Sequence, residues 1–153
     1  MKLHSPYKAI LLSALATLAV GCSHQQIPIK KVFSSNNCGI TKPALKSIAT
    51  PIELDDLFQS IPKTFSQRTL LVPEVDFEKD NLILYALGQQ PTSGYSIKLT
   101  KSEAQLTDKI LSLPIRVQKP NPDFNHAQVI TSPCSLYSLP KHEYKKVVLQ
   151  DTQ

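Results

Sequence analysis

Three cysteines and four histidines carry most of the reactive side-chain chemistry of this 153-residue sequence. The cysteines are Cys22, Cys38 and Cys134. No zinc-binding His-Glu-x-x-His helix, Gly-x-Ser-x-Gly nucleophile elbow or phosphate-binding glycine loop accompanies them. His142-Glu143 lacks the second histidine of such a helix, and no CxxC or HxxxH spacing occurs. We therefore expect a protein that is not an enzyme and that has no metal site and no cofactor.

One acidic cluster leaves an alternative open. Asp76, Glu78 and Asp80 supply oxygen ligands of the kind that calcium binds, but the spacing is short of a full EF-hand loop. A solvated turn also explains these charges, and we favour the turn.

Cys22 closes a segment with the layout of a secretory signal. Lys2 and Lys8 precede a charge-free apolar run over residues 9–20. A bilayer-spanning helix needs roughly 17–25 apolar residues, so a permanent transmembrane anchor is the weaker interpretation. The sequence Leu18-Ala19-Val20-Gly21-Cys22 resembles the lipobox of bacterial lipoproteins. An ordinary signal peptide with an incidental Cys22 remains the alternative.

The lipobox resemblance implies a lipoprotein whose residues 1–21 are removed and whose Cys22 carries acyl chains such as palmitate. The partner of Cys22 is then the membrane. In the sorting rule of enteric-type bacteria, Asp after the cysteine retains a lipoprotein at the inner membrane. Ser23 stands there, which favours the outer membrane over the inner membrane in a cell envelope that has both, with periplasm between them.

Removal of the signal changes the charge of the chain. The formal charge falls from +5 to +3, because Lys2 and Lys8 leave with residues 1–21. Beyond Lys30-Lys31 and Lys145-Lys146 the sequence has no dense run of basic residues. A nucleic-acid partner is therefore not expected.

Cys38 and Cys134 remain as an even pair in a compartment that permits disulfides. A bridge between them would close a loop of close to a hundred residues. On the chain-entropy model such a bridge stabilises the fold by about 4–5 kcal/mol. Two unpaired buried thiols are the alternative, since the sequence does not give the Cα separation.

The chain divides into a signal peptide over residues 1–21, a lipid-anchored flexible tether over 22–48 and a β-rich domain over 49–151. Thr50-Pro51-Ile52-Glu53 is a capping box with proline at the first helical position. It predicts an amphipathic helix over residues 51–60, which Pro62 ends.

Short strand patterns follow the helix. The apolar run over residues 81–88 predicts a strand that is buried on both faces. Further strands are predicted over residues 70–72, 95–101, 111–117, 129–131, 134–139 and 144–150, with Pro114 marking an edge strand or a bulge. The pattern predicts a mainly β fold: a small antiparallel β-sandwich or partly open barrel with one short N-terminal helix, after the signal peptide and tether.

The loop between two of these strands contains Pro91, Thr92, Ser93, Gly94 and Tyr95. These are turn residues, and a plain hairpin loop would explain them. Their context is more specific: Val75-Asp76-Phe77 and the strand to Gly88 come before them, and Lys119-Pro120-Asn121-Pro122 and Ser132-Pro133 come after. This order of motifs resembles the C-terminal domain of the PrcB family. Ser93 and Cys134 depart from it, where the family commonly has glycine and an aromatic residue.

The PrcB family consists of lipoproteins or exported proteins named for a subunit of a surface protease complex. The resemblance implies a non-catalytic binding or assembly partner of another envelope protein, such as a protease. The candidate contact residues are those of the Pro91–Tyr95 loop and of the Pro120–His126 loop. A looser similarity, in the Pro91–Tyr95 loop alone, is to chagasin-like inhibitors of cysteine proteases, which is the alternative function.

Overall fold

The computed structural model describes residues 24–62 and 70–150. Over these ranges the chain forms ten strands and one helix. In chain order they are β1 (Gln25–Pro28), β2 (Lys30–Ser35), β3 (Ala44–Ile48), α1 (Pro51–Ser60), β4 (Asp80–Ala86), β5 (Ser96–Leu99), β6 (Glu103–Thr107), β7 (Ile110–Leu113), β8 (Ile115–Gln118), β9 (Cys134–Pro140) and β10 (Lys146–Leu149). The prediction of a mainly β fold with one short helix is confirmed.

The strands form two four-stranded sheets and a two-stranded ribbon. The first sheet has the order β1-β6-β7-β10, the second has the order β2-β9-β4-β3, and the ribbon pairs β5 with β8. Only Ile29 separates β1 from β2, so one continuous segment passes from the first sheet into the second. Pro114 separates β7 from β8 in the same way, because proline has no N–H to donate to a ladder. The sequence predicts one strand over residues 111–117 with an edge strand or a bulge at Pro114, whereas the structure has two strands there, and β7 lies inside its sheet between β6 and β10.

One strand pair departs from the predicted antiparallel arrangement. β10 runs parallel to β7, with Lys146 opposite Ile110 and Leu149 opposite Leu113. The remaining ladders are antiparallel in the part of the chain that the structure describes. The sequence pattern of β10 gives its inward residues but not its direction, because the alternation is the same for both directions.

An inner core joins the two sheets and the ribbon. Its buried side chains come from seven strands and their flanks: Ile27, Ile29, Ile83, Leu87, Ile97, Ala104, Leu111, Leu113, Ile115, Tyr137 and Leu139. Alternate residues of β4 point the other way, into a second core. The strand over residues 81–88 is therefore buried on both faces, as predicted.

Helix α1 covers the second core. Leu54, Phe58 and Ile61 pack with strand residues including Leu82, Leu84 and Leu136. Phe58 also lies against Phe33, with ring centroids 4.7 Å apart. The predicted helix bounds are confirmed, and the buried Leu54 and Phe58 form the apolar side of the predicted amphipathic helix.

The capping box of α1 forms, except that the Glu53 side chain bonds the residue before the N-cap and not the N-cap itself. The Glu53 N–H donates to Thr50 Oγ1 over 3.2 Å. The Glu53 carboxylate accepts from the N–H of Ala49 over 2.8 Å, one residue before the cap. The hydrogen bond from Ala49 lowers the pKa of Glu53, with smaller contributions from Lys46 and Thr50.

The predicted flexible tether is wrong from residue 25 onward. β1, β2 and β3 occupy most of residues 25–48, and they pair with β6, β9 and β4. All three lie at sheet edges, so most of their side chains face solvent and the sequence looks polar. Ile27 and Ile29 alternate inward, but two residues are too short a signal to separate a strand from a linker. The folded domain therefore begins at β1 and not at residue 49.

Other strand predictions have mixed outcomes. β6 is absent from the prediction, and residues 70–72 form no strand. Residues 129–131 contribute only one bridge, in which Thr131 pairs with Gln90. The predicted signal peptide and Cys22 lie outside the described residues. No helix in the described ranges is long and apolar enough to cross a bilayer.

Candidate binding surface

The two loops predicted to make contacts come together in the fold. The N–H of Ser93 donates to the Ala127 carbonyl over 3.0 Å. The N–H of Ala127 donates back to Ser93 Oγ over 3.0 Å, although the two residues are 34 apart in the chain. Residues 88–95 and 119–131 thus form one continuous feature, which we call the loop surface.

A second set of hydrogen bonds closes the base of the loop surface. Gln90 and Thr131 exchange two backbone hydrogen bonds, of 2.7 and 3.0 Å. The Thr131 hydroxyl donates to the Thr92 carbonyl over 3.1 Å, and the Gln90 amide nitrogen donates to the Leu87 carbonyl over 3.1 Å. The backbone of the first loop is therefore held by the second loop at both of its ends.

Gly94 is the point of closest approach between the loops. Its φ of +94° is a conformation that residues with a side chain rarely adopt. A Cβ placed there would lie 2.7 Å from His126 Nδ1 and 2.8 Å from His126 Cε1. His126 is itself fixed, because its Nε2 donates to the Asn121 carbonyl over 2.8 Å. Glycine is required at position 94 for both reasons.

The five predicted contact residues differ in accessibility. Pro91 and Gly94 are exposed, whereas Thr92, Ser93 and Tyr95 are half-buried. The Tyr95 ring packs against the inner core. Tyr95 therefore supports the fold of the loop, and substituting it would test stability as well as contact.

Three exposed apolar side chains of the loop surface were not singled out in the sequence. Phe124 is 67% exposed, Val129 52% and Ile130 70%. The sequence predicts a strand over residues 129–131, in which alternation would bury either Val129 or Ile130. Adjacent apolar residues between two polar stretches were the available signal. Exposed apolar residues grouped on one loop are characteristic of interaction sites.

The Cys38–Cys134 disulfide is present in the structure and lies beside the loop surface. The Cα atoms of the two cysteines are 6.0 Å apart, and both residues are buried. The Cys38 N–H donates to the Ser132 carbonyl over 2.9 Å, and the Gly39 N–H donates to Ser132 Oγ over 2.8 Å. The bridge and these bonds together fix the end of the second loop against residues 37–39.

Ser93 and the described histidines take part in hydrogen bonds within the domain. Ser93 Oγ and His126 Nε2 are both engaged in hydrogen bonds with loop backbone atoms. His24 bonds to Thr107 Oγ1 over 3.0 Å, and His142 bonds through Nδ1 to the Pro140 carbonyl over 3.0 Å. The histidines seen in the structure therefore hold loops and strand ends in place.

The acidic turn at Asp76 is built by its own chain. Asp76 Oδ1 accepts from the Glu78 N–H over 3.0 Å, and Oδ2 lies 2.8 Å from Lys79 Nζ. The Lys79 hydrogen bond, followed by the one from Glu78, lowers the pKa of Asp76. No group of three or more histidine, cysteine or acidic side chains arranged to hold a metal occurs in the described ranges. The geometry fits a solvated turn.

The loop surface and the start of β1 lie at opposite ends of the domain. The β4–β9 ladder runs from Asp80 opposite Pro140 to Ala86 opposite Cys134, a span of about 20 Å. The loop surface follows the Ala86 end. At the other end the Gln25 amide nitrogen bonds His142 Nε2 over 3.1 Å. We call the first the loop end. The second, made of residues 24–25, 107–110 and 141–146, we call the N-terminal end.

The segment that contains both loops is similar to a known protein family. Residues 82–140 match the family model described as PrcB C-terminal. The resemblance predicted from the sequence is confirmed over this segment. No curated protein and no solved structure matches the chain. The similarity to chagasin-like inhibitors is not confirmed.

The PrcB segment contains the whole loop surface but not the whole fold. It runs from β4 to the end of β9 and so includes both loops. In the second sheet, strands β9 and β4 of this segment are flanked by the edge strands β2 and β3. Both edge strands, and helix α1, precede the segment in the chain. The residues before the segment therefore complete its sheet and cover its second core.

Proposed function

We propose that this protein is a non-catalytic, lipid-anchored protein of the cell envelope that binds another envelope protein through its loop surface, as a subunit or assembly factor of a protease complex. The PrcB segment supports the link to a protease complex, and it contains every residue of the loop surface. The signal-like residues 1–21 and the lipobox-like sequence at Cys22 support the anchor. Ser23 supports the outer membrane as its location.

The observation that carries the proposal is the joining of two distant loops into one fixed, partly apolar surface. Hydrogen bonds between Ser93 and Ala127 and between Gln90 and Thr131 hold the two loops together. Phe124 and Ile130 remain exposed on it. A surface whose backbone is already ordered loses little conformational entropy on binding, and exposed apolar side chains supply the contact energy.

The direction of the surface agrees with this function. Acylation at Cys22 would place the lipid two residues before His24, at the N-terminal end. The loop surface would then project away from the membrane by about the length of the β4–β9 ladder, roughly 20 Å. A partner that extends into the periplasm would reach it without contacting the bilayer.

Affinity capture of the tagged full chain from detergent-extracted membranes tests the proposal. In Phe124→Ala with Ile130→Ala, we expect recovery of one envelope protein to fall about tenfold, because a loss of roughly 1.4 kcal/mol of contact energy has that effect. The matched control is Ile52→Ala with Ile110→Ala, two exposed apolar residues away from the loop surface. The mass of the captured chain reports whether Cys22 carries lipid.

Two results would contradict the proposal. One is equal recovery of every co-purifying protein with the loop variant and with the control. The other is a captured chain whose mass shows an unmodified Cys22 or an uncleaved signal, which would remove the anchor. Circular dichroism of both variants should match the wild type, since all four side chains are exposed.

A further inference from the structure

The β5–β8 ribbon carries a pair of positive charges that form no ion pair with a described residue. Lys98 on β5 lies directly opposite Arg116 on β8, and both side chains are exposed. Like charges at directly opposed positions of a ladder repel each other. The ion pairs of the described residues are Lys79 with Asp76 and Lys109 with Glu143, and neither involves the ribbon. Among the described residues, no carboxylate oxygen lies within 4.0 Å of a Lys98 or Arg116 nitrogen.

The ribbon also has an open side next to the loop surface. β5 pairs with β8 on one side, and the described residues place no strand on its other side. β5 begins one residue after Tyr95, and β8 ends one residue before Lys119, so both join the loop surface directly. Lys119 is exposed too and extends the positive strip toward the loops.

From this geometry we propose that the ribbon binds an acidic, extended segment of the partner protein, rich in aspartate or glutamate, along the free side of β5. The inference rests on the proposed function and names the chemistry of the partner. Carboxylates of the segment would supply the negative charges that Lys98 and Arg116 lack. An extended segment would supply the main-chain groups that pair with an open strand edge.

The location favours a protein segment over an anionic membrane. The ribbon lies at the loop end, about one ladder length from the N-terminal end where Cys22 precedes His24. At the N-terminal end, by contrast, Lys109 already pairs with Glu143 over 3.6 Å. Lys145 and Lys146 are also exposed at the N-terminal end, whereas Lys98 and Arg116 lie on the side that faces away from the proposed anchor.

The direct test measures binding of a short fluorescent oligo-glutamate peptide to the purified full chain by anisotropy. We expect Lys98→Gln with Arg116→Gln to weaken binding about tenfold, and added NaCl to weaken wild-type binding, because exposed charges are screened by salt. Lys145→Gln with Lys146→Gln is the matched control, with the same loss of charge at the N-terminal end, and it should bind as the wild type does.

A third variant separates binding from folding. Lys98→Glu places a negative charge opposite Arg116, which favours the β5–β8 pair instead of opposing it. We expect this variant to unfold at the same denaturant concentration as the wild type or a higher one, and to lose peptide binding. Loss of binding in Lys98→Glu therefore cannot come from an unfolded ribbon.

Several outcomes would overturn the inference. We call Lys98→Gln with Arg116→Gln the ribbon variant. Equal peptide binding by the ribbon variant and by its control, Lys145→Gln with Lys146→Gln, would overturn the inference. Binding of phosphatidylglycerol vesicles or inorganic phosphate that depends on Lys98 and Arg116, without peptide binding, would assign the ribbon to another anion. A dimer in sedimentation that the ribbon variant abolishes would assign it to a second copy of the chain.

Membrane capture distinguishes this inference from the proposed function. If the ribbon variant retains the partner while Phe124→Ala with Ile130→Ala loses it, the loop surface stands and the ribbon inference fails. If both variants retain it, both fail. If both lose it, and Lys98→Glu loses it as well, the ribbon and the loop surface form one binding site.

Discussion

The two ends of this domain are built in different ways. At the N-terminal end, polar and charged side chains satisfy one another: His24 with Thr107, Gln25 with His142 and Lys109 with Glu143. At the loop end, hydrogen bonds go to the backbone, while apolar side chains and the Lys98–Arg116 pair are left facing solvent. The first arrangement is closed within the domain, and the second would be completed by the proposed partner.

The disulfide is the strongest covalent difference between the ends, and removing it should have the largest effect. Cys38→Ala with Cys134→Ala opens a loop with a sequence separation of 96. The free energy of unfolding should fall by about 4–5 kcal/mol on the chain-entropy model. Urea unfolding measures this loss, and the reduced wild type is the control. A loss below about 1 kcal/mol would show that hydrogen bonds alone hold the loop end together.

Gly94 provides a smaller and more local test of the loop end. Gly94→Ala should lower the free energy of unfolding by about 2–3 kcal/mol, because the backbone is left-handed there and the new Cβ meets His126. In a His126→Ala background the same substitution should cost less, since the ring is gone and only the backbone strain remains. An equal cost in both backgrounds would show that the clash between the new Cβ and His126 contributes nothing to the loss of stability.

Acid should weaken the N-terminal side of the domain first, and this is the smallest of the three effects. The folded-state pKa values of Asp76 and Glu53 lie below their ordinary values of 3.8 and 4.5. A lowered carboxyl pKa stabilises the fold above the unfolded-state value, and this contribution is lost as the pH falls through the folded-state value. Asp76 is exposed and Glu53 is half-buried at the surface, where solvent screens their charges, so the shift in urea midpoint should be small.

The comparison that checks the acid effect uses Asp76→Asn with Glu53→Gln. This variant should lose less stability than the wild type between neutral pH and about pH 3, because its amides do not titrate. Asn and Gln keep the oxygens that accept the backbone hydrogen bonds at these positions. If the wild type and the variant lose the same amount, the acid sensitivity comes from other carboxylates.

The elements that the sequence predicted correctly share one property. Each has a sequence signal that lies within one segment of the chain and extends over many consecutive residues. Helix α1 has a capping box, an apolar stripe and a terminating proline within thirteen residues. β4 has an unbroken apolar run because both of its faces are buried. β1 and β6 each place few side chains in the core, and a strand of four or five residues gives too little alternation to detect.

For the candidate binding surface, the sequence predicts the residues of its loops but not how the two loops meet. The Pro91–Tyr95 residues stood out as turn chemistry, but the contact between Ser93 and Ala127 depends on how distant strands pair. The disulfide remained one of two alternatives for the same reason, because a Cα separation is a property of the fold. The opposition of Lys98 and Arg116 likewise requires the register of β5 and β8.

The early start of β1 changes how the proposed lipoprotein would meet a partner. Because β1 starts at Gln25, acylated Cys22 would lie only three residues before the sheet, a distance of at most about 11 Å along the chain. A long linker would let the domain occupy a large volume above the membrane, which would lower the effective concentration of its binding site. A short link confines that site to a thin layer at a fixed height. Partners anchored in the same membrane would therefore meet it at high effective concentration, and partners held farther from the bilayer would not reach it.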